Sequence, residues 1–233
     1  MRQTTMTRRS FCKCTALTAL SLSLNPWGKL LSPGHVAAAA TSVNYYLAHS
    51  RELISAYAGF WEGASQLLEP ELGLMRTRMI SQQSQANFSA LLPQLPDVGG
   101  ERNWDTEFLP VAAWYVAMYE PMRTHGKTAE DIGKLVYDLN GYDLAATPKE
   151  QIAAEHKRLF SPKYLQEQRE WAAWTQRREL PGNWVATFIE APPGPREADD
   201  SFDYGIEYSE CGLVKFFQSQ GRPELAPYVC LND

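Results

Sequence analysis

Two thiols, and a carboxylate at the final position, fall within the last thirty residues of this sequence. Cys211 and Cys230 bracket a segment whose apolar residues recur at helical spacing, and Asp233 follows the second cysteine by three positions. Residues of these types can do three things. A thiolate is the best nucleophile a protein offers near neutral pH when its surroundings favour the charged form. Two thiols in an oxidising compartment can instead close a disulfide, worth on the order of 3 kcal/mol for a loop of this length. Two cysteines and an aspartate would also make three of the four ligands of a zinc site. The histidines stand at positions 35, 49, 125 and 156, without the spacing of metal ligands.

A second group of candidates precedes a long apolar stretch. Gly99-Gly100 marks backbone that turns sharply or approaches something closely. Arg102, two residues on, could pair with a substrate carboxylate, as could Arg76 and Arg78, although single arginines usually belong to the surface. His125 follows a helical run and reads as a helix-end residue, His156 sits in a charged face, and His49 reads as packing. Trp104, Trp114 and Trp184 read as core. The sequence has no Ser-His-Asp signature, phosphate loop or dinucleotide-binding glycine pattern, so no cofactor is called for.

Helices must carry most of these residues. Apolar side chains at three- and four-residue steps predict helices over Ser42–Leu68, Leu72–Leu92, Thr106–Arg123, Thr128–Leu139, Lys149–Phe160 and Pro162–Arg178. The predicted stops are Pro70, Pro93 and the pair Asn140-Gly141, and Thr128 with Asp131 forms a capping pair. From Pro181-Gly182 onward the pattern changes. Trp184–Ile189 and Phe202–Tyr208 read as antiparallel strands around the polar loop Ala191–Asp200. Gly212–Gln220 returns to helix, and Gly221-Arg222-Pro223 sets it apart from a short last turn. Helices, then two strands, then a closing helix predict an α+β domain, a mainly helical N-terminal layer packed on a small antiparallel sheet.

Charge separates the first forty residues from the remainder. They hold five basic residues (Arg2, Arg8, Arg9, Lys13, Lys29) and no acidic one. The remaining positions keep 22 less 5, or 17, basic groups against 27 acidic, a net charge of −10. An acidic body without a basic stripe argues against nucleic acid or an anionic membrane as partner. Thr7–Lys13, the apolar run Thr15–Leu24 and the alanines at 37–40 resemble a twin-arginine export signal with a small-residue cleavage site. The expected division is a signal peptide over 1–40 and one domain over 41–233. The signal's partner is the twin-arginine machinery, and the destination is the periplasm or beyond. No stable membrane insertion is expected after cleavage, since no apolar run is long enough to span a bilayer.

Three blocks, in order, resemble the L-2-amino-thiazoline-4-carboxylic acid hydrolase family. They are Leu91–Leu139, with its Pro-x-x-Gly-Gly loop leading into an apolar helix, then Asn183–Glu190, then Phe202–Asp233 with Cys-x-x-Asp. The resemblance implies a hydrolase that opens a small cyclic amidine or isothiourea at a C–N bond to give a carbamoyl-cysteine. In that reading Cys211 is the nucleophile, placed near helix N-terminal amides that favour a thiolate, with Cys230 and Asp233 assisting. Gly99, Gly100 and Arg102 would hold the small-molecule substrate. The family pattern continues past Cys-x-x-Asp, whereas this sequence ends at Asp233, so the domain is expected to be short there and to leave a sheet edge unpaired. The alternative is a non-catalytic exported domain that binds a small ligand or partner, with a Cys211–Cys230 disulfide.

Overall fold

The computed structural model describes residues 44–190 and 204–231. The export signal predicted over 1–40, the loop predicted over Ala191–Asp200, and Asp233 lie outside the described residues. The described chain is α+β: nine α-helices among the described residues, with one two-stranded antiparallel sheet late in the order. Helices α1 (Tyr45–Ala48), α2 (Ser50–Leu72), α3 (Leu74–Leu91) and α4 (Phe108–Arg123) come first. Helices α5 (Ala129–Ala146), α6 (Lys149–Leu159) and α7 (Pro162–Thr175) follow. Then come β1 (Val185–Glu190), β2 (Tyr204–Glu210), α8 (Gly212–Ser219) and α9 (Ala226–Leu231). Among the described residues no helix is long and apolar enough to cross a membrane.

α4 is apolar almost all round, and that is why it lies in the middle. It touches α3, α5 and α8. Ala112, Ala113 and Ala117, all fully buried, let those neighbours approach its backbone. Around it Tyr57, Phe60 and Trp61 of α2, Phe88 of α3 and Trp114 of α4 form an aromatic knot. Tyr57 stacks on Trp114 at 5.4 Å and tilts against Phe88 at 4.7 Å. Such pairs each contribute about 0.5–1.5 kcal/mol beyond the area they bury.

The sheet is covered by α7. Trp171, Ala172 and Trp174 pack on Ala186 of β1 and Ile206 of β2. The end of α7 also grips β1 by its main chain. Ala186 N donates to Thr175 Oγ1 at 3.0 Å, and Gln176 Nε2 donates to Ala186 O at 2.7 Å. A two-stranded sheet needs this kind of support to persist in water. In the strand register Val185 faces Glu210 while Ala186 faces Tyr208. Ser209 is therefore an extra residue on β2, and its hydroxyl donates to Val185 O at 3.2 Å. The resulting bulge bends β2 two residues ahead of Cys211.

Three predicted boundaries move. The first predicted helix breaks at His49, whose φ of −103° and ψ of 16° separate α1 from α2. Pro70 does not end α2. It sits in the last turn, and the helix closes only at Gly73, where φ is +79° and the N–H donates to Glu69 O at 2.9 Å. Proline there costs one internal hydrogen bond, which a terminal turn tolerates. Asn140-Gly141 does not end α5 either, since the helix continues to Ala146. α2 and α9 pack along α5, and the Asn-Gly stop is only a weak local preference. Elsewhere the sequence signals hold. Thr128 N donates to Asp131 Oδ2 at 2.7 Å and Asp131 N to Thr128 Oγ1 at 3.2 Å, a complete capping box at the start of α5. Ser161 caps α7 ahead of Pro162.

Candidate active site

Cys211 follows the last residue of β2 and is the N-cap of α8, with extended backbone (φ −107°, ψ 121°). It is half-buried and packs against the edge of the main core. The bulge at Ser209 and the close seat of α8 fix where it stands. Gly212, the next residue, lies against the Trp184 indole: a Cβ at Gly212 would come within 2.6 Å of Trp184 Cε3. The first-turn amides of α8 have no partner four residues back within the helix, and the end of a helix that presents them carries partial positive charge.

A charged group flanks this position on each side. Lys215, one turn into α8, donates from Nζ to Glu210 at 2.6 Å, to Asn183 O at 2.8 Å and to Pro181 O at 3.0 Å. Glu210 also pairs with Arg178. The hydrogen bond from Lys215, helped by the charges of Lys215 and Arg178, holds the Glu210 carboxyl below the usual carboxylate range. Arg178 has φ +54°, a left-handed conformation that a side chain disfavours, in the turn that brings it to Glu210.

The double-glycine turn is tied to the same region through Asn103. Gly99 and Gly100 have φ of +108° and +53°, which only glycine adopts without strain. Gly99 lies on Trp174, where a Cβ would sit 2.7 Å from Cη2, and Gly100 lies under Tyr45. The turn thus meets both expectations of the pair, sharp backbone and close approach. Asn103 is fully buried behind it. Its Nδ2 donates to Val98 O at 2.6 Å and to Asn183 Oδ1 at 2.8 Å. Its Oδ1 accepts from Trp171 Nε1 at 2.7 Å and from Asp105 N at 3.1 Å. Asn183 Oδ1 in turn accepts from Trp184 N at 2.8 Å, and Gly182 packs on Pro96. Residues 181–184 are therefore a strap that holds the glycine turn on one side and the Cys211 helix on the other.

The remaining candidates divide. Arg102 is exposed, with its guanidinium 5.1 Å from the centre of the Trp174 ring. Arg76, Arg78 and His156 are exposed, and His156 packs on Phe160 at 4.6 Å. His125 lies in the turn after α4, and His49 packs its ring on Tyr45 at 4.4 Å. Trp114 and Trp184 are core, and Trp104 packs against the two smaller clusters. Cys230 is in α9, which touches α8, but its side chain lies outside the described residues, as does Asp233 altogether. Among the described residues no group of three or more His, Cys, Asp or Glu side chains could hold a metal ion.

Sequence reasoning missed Asn103, Asn183, Lys215 and Glu107. Burial pushes the Glu107 carboxyl up to about 8, so a carboxylic acid persists at neutral pH at the start of α4. Its only mark in the sequence is an acid two residues beyond Asp105 at the mouth of an apolar helix. No family model, no curated protein and no solved structure matches the chain.

Proposed function

We propose that this chain is a thiol-dependent hydrolase that opens a small cyclic amidine or isothiourea of the L-2-amino-thiazoline-4-carboxylate type, acting after export through the twin-arginine route. One observation carries the reading. Cys211 is the N-cap of α8, directly after a bulged strand, where the first-turn amides of the helix are presented. That is a setting that favours thiolate over thiol.

In this mechanism the Cys211 thiolate adds to the amidine carbon, and the C=N electron pair moves onto nitrogen. Collapse of the adduct breaks the ring C–N bond, and the ring nitrogen takes a proton, with Cys230 as its donor, to leave as an amine. Water then adds to the same carbon and expels the Cys211 thiolate, while Asp233 accepts the water's proton. Substrate plus one water gives a carbamoyl-cysteine, and no ammonia leaves. The Arg102 guanidinium, beside the Gly99-Gly100 turn, would pair with the substrate carboxylate.

The test is product formation from L-2-amino-thiazoline-4-carboxylate by the folded protein, under reducing and oxidising conditions, read by mass. The expected product gains one water and a free amine, and forms only under reduction. Cys211→Ala should lower the rate by on the order of a thousandfold or more. Full activity in Cys211→Ala would sink the assignment. A folded wild-type protein inactive in both redox states would instead favour an exported small-ligand or partner-binding domain with a Cys211–Cys230 disulfide.

A further inference from the structure

Methionine is ordinarily a core residue, and Met118 and Met122 of α4 follow that rule with no exposed surface. Met75 and Met79 of α3 depart from it, with exposures of 70% and 57%. The helix itself puts them outside. Thr77, Ile80, Ser84 and Phe88 form the buried line of α3. At about 100° per residue, Met75 and Met79 fall on the opposite side of the helix. Standing four positions apart, they emerge as neighbours, roughly 5–6 Å apart at Cβ. Leu74, Arg76 and Arg78 around them are exposed too.

α3 is held from its other side, by α2 and α4. Its share of the main core comes from Ile80, Phe88 and Leu91, not from the two methionines. Chemistry at their sulfurs can therefore proceed without disturbing what keeps the helix in place.

A thioether needs no deprotonation to act as a nucleophile toward oxidants. Its sulfur attacks one oxygen of a hydroperoxide, the O–O bond breaks and an S=O bond forms. The other oxygen leaves as water or an alcohol. Sulfur loses two electrons and the peroxide gains them. The sulfoxide is polar, which is costly inside a core and cheap in water. Enzymatic reduction with a dithiol reverses the step: two thiols supply the electrons and close a disulfide, and the oxygen leaves as water.

We propose that Met75 and Met79 form a reversible oxidation site on α3, each taking one oxygen from a hydroperoxide while the buried methionines of α4 are spared. The site is a sink for two oxidant molecules per chain, refilled by reduction. This inference does not depend on the hydrolase reading.

Hydrogen peroxide on the full folded chain, followed by peptide mapping of sulfoxide at each methionine, tests it. Met75 and Met79 should oxidise at least about tenfold faster than Met118 and Met122. In urea the four rates should converge, since the fold makes the difference. The doubly oxidised protein should keep its thermal midpoint to within about 2 °C. Methionine sulfoxide reductases of both epimer specificities, with dithiothreitol, should return both residues to thioethers. A chain with Met75→Leu and Met79→Leu, which conserves side-chain volume, should fold with the wild-type midpoint. Slow oxidation of Met75 and Met79 in the folded protein would mean that another molecule covers this face, and overturns the proposal. So do equal rates at all four residues, a selectivity that persists in urea, unfolding on oxidation, or sulfoxides that the reductases leave in place.

Discussion

Asn103 shows how much one side chain can hold at this site. Both of its amide hydrogens and its oxygen are engaged, to Val98, Asn183, Trp171 and Asp105, with almost no exposure to water. Removing it strands several buried polar groups at once, and each such group costs about 1–3 kcal/mol. Asn103→Ala should therefore lower stability by roughly 3 kcal/mol, read as a fall in the urea midpoint with the slope unchanged. Little of this was legible in the sequence. Cys211 and the glycine pair announce themselves by type, because thiols are rare and adjacent glycines have a specific backbone use. Asn103 does not, because its partners Trp171 and Asn183 are 68 and 80 positions away. Local pattern carries no trace of such distant pairing.

At the scale of elements, α8 is held by contact rather than by propensity. Replacing glycine with alanine inside a helix ordinarily gains up to about 1 kcal/mol. At Gly212 the new methyl would meet the Trp184 ring at 2.6 Å, a rigid neighbour that is itself buried. Gly212→Ala should therefore destabilise by about 1–3 kcal/mol in thermal unfolding, and under the proposed hydrolase function it should lower turnover as well, because α8 carries Cys211. The elements themselves were largely readable. Periodicity located the long helices and both strands, and the Thr128–Asp131 capping box stands where its residues predict. Pro70 and Asn140-Gly141 were misleading because a stop signal is a modest local preference. A proline is tolerated in a helix's terminal turn, and α5 runs on through Asn140-Gly141 to Ala146. The bulge at Ser209 left no mark either, since it depends on how β2 meets β1 rather than on its own residues.

Across the whole molecule, α9 closes the main core against α5. Leu225 and Val229 are buried there with residues of α2, α3 and α4, and Gly133 of α5 lets Tyr228 settle on its backbone. Gly133→Ala should cost about 1–3 kcal/mol, since its methyl would come within 2.7 Å of Tyr228 Cβ. Tyr228→Gly in the same chain should recover part of that loss, and a double-mutant cycle in denaturant should give a coupling of about 0.5–3 kcal/mol. The overall class, helices first and a small sheet late, was legible because it is written in element order. This closure from the far end was not, because nothing in the last turn names its partner. It also bears on synthesis. A ribosome adding about 5–20 residues per second takes roughly 10–40 s to travel from α1 to α9. Until α9 is made, the face of α5 around Gly133 lacks the cover that Tyr228 supplies. Apolar surface on α5 is thus exposed in the nascent chain until α9 emerges, and a holdase chaperone should bind it longest just before α9 is made.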